Sequence, residues 1–116
     1  MRKFSDVLEE ASDLIERTHL TRRQLEVLYV WSKLGINKLK TEENKIRLFD
    51  RTVSVGSFYR VLRQARENVS KAINTIFLLN ACGLIADDEL RELIDRFVSI
   101  PPDERLLALR ELVSPL

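Results

Sequence analysis

The chain has few of the residues that form turns, disulfides or metal sites. Its 116 residues include one Cys, one His, three Gly and three Pro. Because Cys82 is alone, no intrachain disulfide can form, and a reducing compartment is the simplest expectation. No clustered His and Cys spacing and no Gly-rich phosphate loop occur, so no metal, cofactor or small-molecule ligand is inferred. His19 and Cys82 are remote in sequence, and free Cys in an apolar helix is usually a core residue, so we expect no enzyme.

The chain also lacks a long hydrophobic run. Its most apolar stretch, residues 76–86, contains Asn80 and is too short to cross a membrane. No apolar segment follows the basic residues at positions 2 and 3, so no secretory signal is expected. These absences predict a cytoplasmic protein that does not enter the membrane.

What the chain does contain favours helices. Hydrophobic residues make up 45% and charged residues 32% of the sequence, a balance that is typical of a globular domain. Leu, Arg, Glu, Lys and Ala are abundant, and all of them are good helix formers. The composition therefore predicts an all-α fold.

The net charge of +1 conceals a basic middle between acidic ends. Residues 1–20 carry three basic and five acidic side chains (−2), residues 21–83 carry twelve and five (+7), and residues 84–116 carry four and eight (−4). A basic block of this kind is typical of a nucleic-acid-binding surface. The alternative interpretation is that charge fluctuates along any chain. Charge alone therefore does not decide whether this chain binds nucleic acid.

Apolar residues recur every three or four positions near the amino terminus. The first helix is predicted from about Arg2 to Arg17, with one apolar stripe formed by Phe4, Val7, Leu8, Ala11, Leu14 and Ile15. Thr21 and Gln24 then form a capping box, which opens a second helix. Gly35 is expected to end that helix as its C′ residue.

The next segment, residues 36–52, is polar and harder to assign. Thr41 is predicted to cap a short helix whose first turn holds two glutamates, where carboxylates favour the positive helix end. Ile46, Leu48 and Phe49 would then form the buried side of this helix.

The most informative segment is a predicted helix over 55–82. From position 55 to 81 there is no Pro, and the only Gly lies in the first turn. Apolar residues follow one another at alternating spacings of three and four, and form a heptad-like seam of Val55, Phe58, Leu62, Ala65, Val69, Ala72, Ile76 and Leu79. Gly83 is expected to be the C′ residue that closes the helix.

The pattern restarts after Gly83. Asp87 is predicted to cap one helix, and Pro102 to open a last helix that extends to Val113. The expected division is an N-terminal helix for packing or dimerisation (1–19), a basic DNA-binding core (20–83) and a C-terminal two-helix extension (84–116).

The outer side of the long helix has side chains that suit DNA. Arg can pair with guanine and Gln with adenine in the major groove, and hydroxyls at a helix start can meet a phosphate. The candidates form two neighbouring stripes, one of Ser57, Arg60 and Gln64 and the other of Tyr59, Arg63 and Arg66. The backbone would be held by Arg22, Arg23, Lys38, Lys40, Lys45, Arg47 and Arg51. The alternative interpretation is an ordinary solvated helix face.

Two motifs resemble known DNA-binding domains. The run Leu20-Thr21-Arg22-Arg23-Gln24-Leu25-Glu26-Val27-Leu28 resembles the opening of helix-turn-helix domains related to region four of bacterial sigma factors and to LuxR-type regulators. The runs Ser54-Val55-Gly56-Ser57-Phe58-Tyr59-Arg60-Val61-Leu62 and Ala65-Arg66-Glu67-Asn68-Val69 resemble their recognition helix, especially in archaeal Tfx-like regulators. The resemblance covers about residues 20–75 and implies that the helix from Val55 enters the major groove. It also implies which residues lie nearest the bases and phosphates, namely Ser54, Ser57, Tyr59, Arg60, Arg63 and Gln64. The family's short middle helix is replaced here by a longer stretch, from Gly35 to Thr52.

The expectation is thus a helix-turn-helix core with additional helices at both ends, acting as a sequence-specific regulator that binds double-stranded DNA. The terminal helices carry more apolar stripes than a three-helix unit needs, which suggests a homodimer; folding back onto one monomeric core is the alternative. A second functional hypothesis is a helical protein-interaction module, a helix-turn-helix relic that binds a transcription-related partner. RNA binding is a weaker hypothesis, because the sequence lacks the interleaved aromatics that stack on bases.

Overall fold

The computed structural model describes residues 3–114 and 116 and is mostly helical, with one small antiparallel sheet. The described part divides into two compact units, unit 1 ending at Lys71 and unit 2 comprising Ala72–Leu116. The helices are α1 (Phe4–Ile15), α2 (Arg22–Tyr29), α3 (Ile36–Leu39), α4 (Val55–Ala81), α5 (Asp87–Val98) and α6 (Arg105–Leu109). The strands are β1 (Lys45–Arg47) and β2 (Thr52–Ser54). The expected helical class is confirmed in its main feature, and the two-stranded hairpin is a small deviation from an all-α fold.

The predicted capping box is present at the start of α2. The Thr21 hydroxyl oxygen accepts a 3.1 Å hydrogen bond from the Gln24 backbone N–H, and the Gln24 side chain accepts one of 3.1 Å from the Thr21 N–H. A π-helical turn, Val30–Leu34, extends α2 up to Gly35, which has a positive φ of 83° and ends the helix as predicted. Helix α1 starts at Phe4; the predicted start at Arg2 lies outside the described residues.

The prediction of a short helix after Thr41 is wrong, because this segment forms the β1–β2 hairpin. Lys45 pairs with Ser54, Ile46 with Val53, and Arg47 with Thr52. Burial alternates along residues 45–49, with Ile46 and Leu48 buried and the intervening residues exposed, which is the period of a strand and not of a helix. The Thr41 hydroxyl does not cap a helix but accepts a 3.3 Å hydrogen bond from the Lys45 N–H, in a turn that Asn44 closes with a φ of 61°.

Helix α4 begins at the predicted Val55 and ends at Ala81, one residue before the predicted end. At its start, the Ser54 hydroxyl oxygen accepts a 3.1 Å hydrogen bond from the Ser57 N–H, which is the geometry of an N-cap. At its end, the Gly83 N–H donates to the Asn80 carbonyl and the Leu84 N–H to the Leu79 carbonyl, both at 2.9 Å. These two bonds form a Schellman motif, and Gly83 has the positive φ of 78° that the motif requires.

The core of unit 1 forms where α2, the hairpin and the first half of α4 meet. Its buried cluster consists of Val27, Val30, Ile46, Leu48, Phe58 and Leu62. The apolar stripe of α1 is also buried, since Leu8, Ala11 and Leu14 are at most 6% exposed. Burial of each large side chain contributes about 1.5–3 kcal/mol, so unit 1 has a substantial core that fixes where α4 begins.

Unit 2 contains the end of α4, α5, a 3₁₀ turn (Pro102–Glu104) and α6. Asp87 is the first residue of α5 and not its cap, which is Ala86; the Asp87 carboxylate instead accepts a 2.8 Å hydrogen bond from Asn80. The last helix is also shorter than predicted, because α6 ends at Leu109. Among the described residues of this unit, only Ile85 is buried. No helix in residues 3–114 is both long and apolar enough to cross a membrane.

Candidate nucleic-acid interface

The first half of α4 has one buried and one exposed side. Phe58, Leu62 and Ala65 are at most 4% exposed and face the core of unit 1. Arg60 lies two residues from both Phe58 and Leu62, which places it about 200° around the helix from each of them. Arg63 and Gln64 share this outer side, and all three side chains are exposed. The predicted stripe is therefore accessible to a ligand.

The outer side of this half-helix is strongly cationic. Residues 55–66 include three Arg and no Asp or Glu. Within the part of the chain that the structure describes, neither Arg60 nor Arg63 has a carboxylate within 4 Å. Two unpaired guanidinium groups on a rigid helix can bind phosphate oxygens or the acceptor edge of guanine without first breaking an ion pair.

Three further candidates lie at the flanks of this stripe. The guanidinium of Arg66 sits 4.8 Å from the ring centre of Trp31, a cation–π contact that holds the side chain against the π-helical turn. Tyr59 is 45% exposed and packs edge-to-face on Phe58, with 5.6 Å between ring centres. Ser57 is half-buried in the first turn of α4. The sequence does not predict the contact between Trp31 and Arg66, because the two residues are 35 positions apart.

The hairpin adds a second cationic surface next to the start of α4. Its outward side presents Lys45, Arg47, Thr52 and Ser54, all exposed, while Ile46 is fully buried. Strand pairing places Lys45 opposite Ser54, the cap of α4, and Arg47 opposite Thr52. Arg47 also lines a surface cavity of about 390 Å³ together with Lys38 and Lys40. Two glutamates reduce this charge, because Glu42 lines the same cavity and Lys45 lies 3.8 Å from Glu43.

The tip of the hairpin is attached to the rest of unit 1. The Phe49 ring packs beside Phe4 and Tyr29, at 5.4 and 6.1 Å between ring centres, and Asp50 accepts a 3.3 Å hydrogen bond from Arg23. Partial desolvation by neighbouring atoms would by itself raise the pKa of the exposed Asp50 carboxyl, but the hydrogen bond and charge of Arg23 outweigh it and hold that pKa below its ordinary 3.8. Arg51 is exposed at the same turn. The hairpin is therefore held in place, and its cationic side is presented by a supported ribbon.

Arg22 and Arg23, which were predicted to hold the DNA backbone, are occupied by contacts within the protein. Both guanidinium groups pair with Glu26, at 3.5 and 2.9 Å, and Glu26 is only 2% exposed. Arg22 also pairs with Glu9 of α1 at 3.4 Å. These two arginines connect α1, α2 and the hairpin, and we give them a structural role.

A polar network attaches α4 to the start of α2. The Asn68 side-chain amide donates to the His19 carbonyl at 3.0 Å and to the Gln24 side-chain oxygen at 3.2 Å. Gln24 is the capping-box residue, so one side chain both closes α2 and positions α4. No pattern in the sequence could have shown this link, which spans 44 residues.

Neither a protein-family model nor a curated protein nor a solved structure matches the chain. The function of the site is therefore inferred from its own residues.

Proposed function

We propose that this chain binds double-stranded DNA through the first half of α4, as a sequence-specific transcriptional regulator of the helix-turn-helix type. The observation that carries the proposal concerns two exposed arginines, Arg60 and Arg63, neither of which has a carboxylate partner among the described residues. They lie on the side of a rigid helix opposite the buried Phe58 and Leu62. An α-helix fits the major groove, where Arg recognises guanine and Gln recognises adenine. Gln64 lies beside these arginines and is the candidate for an adenine contact.

The hairpin is proposed to contact the phosphate backbone next to that groove. Lys45 and Arg47 occupy the exposed side of the ribbon that leads directly into α4. Backbone contacts of this kind position a protein on the duplex but carry no base information. On this proposal the protein acts in the cytoplasm as a binding protein and not as an enzyme.

The test is duplex-DNA binding by fluorescence anisotropy over a series of salt concentrations, for the wild type and Arg60→Ala. Wild-type affinity should fall steeply with salt, because Lys and Arg release counterions from DNA. Arg60→Ala should weaken binding by about 1–3 kcal/mol if the side chain contacts a base.

The matched control is Arg91→Ala. Arg91 is an exposed arginine of α5 in unit 2, so its loss changes the net charge equally but removes no charge from α4. Binding should be almost unchanged in this variant. Equal losses in the two variants would show that only net charge matters, and a folded wild type that binds no DNA at low salt would refute the proposal.

A second candidate function is the helical protein-interaction module that binds a transcription-related partner. It is favoured by the exposed apolar side chains of unit 2, among them Phe77 at 60% and Leu78 at 62%. Under this alternative, DNA binding would be weak and would depend little on salt.

A further inference from the structure

The end of α4 and the loop after it contain no charged residue. From position 72 to 86 there is no Asp, Glu, Lys or Arg, yet almost the whole stretch is exposed within the chain. Phe77, Leu78 and Leu84 are 60%, 62% and 58% exposed. The polar side chains of this stretch are Asn74, Thr75 and Asn80. A helix with so few polar groups is normally buried, because it has little to offer to water. We infer that this stretch is covered by another molecule.

The rest of unit 2 also exposes its apolar side chains and buries few of them. Ten of its large apolar side chains are between 39% and 79% exposed, whereas Ile85 alone is buried among its described residues. A unit this small with one buried residue lacks the core that stable folding requires. Each of these side chains exposes an area on the order of 100 Å², so together they offer on the order of 1,000 Å² per molecule. A standard interface buries about 800 Å² per partner.

We propose that a second copy of this chain covers this surface, so that unit 2 is the dimerisation element of the protein. The distribution of charge favours self-association through α4. Unit 2 carries four basic and eight acidic residues, a net charge of −4, so two copies would repel each other if they met through charged faces. All of these charges lie beyond residue 86, and the uncharged stretch can form an apolar interface centre with the carboxylates at its rim.

Helix α1 is not part of this surface. Its apolar stripe was one of those that suggested a dimer, but Leu8, Ala11 and Leu14 are already buried in unit 1. The proposed dimer surface lies within residues 72–116, which contain ten of the exposed large apolar side chains. It is independent of DNA binding, since none of its residues belongs to the cationic side of α4.

The test measures the oligomeric state of the full chain by sedimentation velocity, from submicromolar to tens of micromolar concentration. The wild type should sediment as a dimer. Phe77→Glu should raise the dissociation constant roughly tenfold or more, because each dimer would bury two carboxylates without partners. The matched control is Leu34→Glu, the same kind of replacement at a 37% exposed apolar residue of unit 1, which should leave the dimer intact.

Two further measurements keep the test decisive if unit 2 unfolds when it is alone. The wild-type Tm should rise with protein concentration, as expected when folding is coupled to association. A spin label on an Arg91→Cys variant that also carries Cys82→Ala lies outside the uncharged stretch, on the exposed side of α5, and should report a single inter-copy distance. A wild-type monomer at tens of micromolar would overturn the proposal, as would a Phe77→Glu dimer as tight as the wild type. Loss of DNA binding with an intact dimer would refute only the proposed function.

Discussion

Glu26 is the one carboxylate of the motif from Leu20 to Leu28, and two arginines of the same motif pair with it. Its two oxygens pair with Arg22 and Arg23 while the residue itself is 2% exposed. A buried carboxylate is costly unless its charge is matched, and here one acid matches two arginines. The sequence predicts that both arginines contact DNA, because it does not show whether an arginine is free or already paired with a carboxylate. Only the contacts across α1, α2 and the hairpin distinguish the two roles.

Replacing Glu26 with Gln should therefore destabilise the protein. The amide keeps the shape of the side chain but cannot neutralise the two guanidinium groups, so the free energy of unfolding should fall by about 1–3 kcal/mol. Urea denaturation gives this value. Glu16→Gln, at the exposed C-cap of α1, is the control and should change stability by less than about 0.5 kcal/mol. An equal effect of the two substitutions would show that Glu26 contributes no more than a surface charge.

At the scale of elements, the helices with long apolar periodicity were predicted well and the hairpin was missed. The bounds of α4 follow from a seam held over many turns, a Ser at its start and Gly83 after its end. The Lys45-Ile46-Arg47-Leu48 run alternates with period two over only four residues, and its apolar members can equally be placed on a short helix. Pairing with β2 decided the outcome, because it satisfies the backbone groups of β1 while Ile46 becomes fully buried.

Two glycines of unit 1 should respond to the same substitution with opposite signs. Gly35 has φ 83° and ψ 130°, so Gly35→Ala should cost about 1–3 kcal/mol of stability through backbone strain. Gly56 lies in the first turn of α4 with helical geometry, so Gly56→Ala should stabilise by about 0.5–1 kcal/mol. An added Cβ meets no atom within 4 Å at either position, so packing does not complicate the comparison. Thermal denaturation of both variants would check it, and a stabilising Gly35→Ala would contradict the assigned helix end.

At the scale of the whole molecule, the buried residues are distributed very unevenly. Among residues 3–114 and 116, every buried apolar residue except Ile85 belongs to unit 1. The heptad-like seam of α4 shows the same change along one helix, since Phe58, Leu62 and Ala65 are buried whereas Val69 and Ile76 are exposed. The cationic surface thus belongs to the unit that has a core, and the apolar surface to the unit that needs one.

A fragment that ends at Lys71 should consequently fold by itself, whereas a fragment of residues 72–116 should not fold as a monomer. Urea denaturation followed by circular dichroism should give a cooperative transition for the first fragment. The second should become helical only as its concentration rises. A cooperative, concentration-independent transition of the second fragment would contradict this division of stability.

Local sequence patterns suffice to predict the helices with sustained periodicity, the capping box at Thr21, the helix ends at Gly35 and Gly83, and the outward position of Arg60, Arg63 and Gln64 on α4. These features depend on residues within a few turns of one another, so local rules suffice. Tertiary structure alone decided that residues 45–54 form a hairpin, that Arg22 and Arg23 pair with a buried glutamate, and that the far half of the seam stays exposed. Each of these outcomes depends on contacts between residues distant in sequence, whose free energies no local pattern contains.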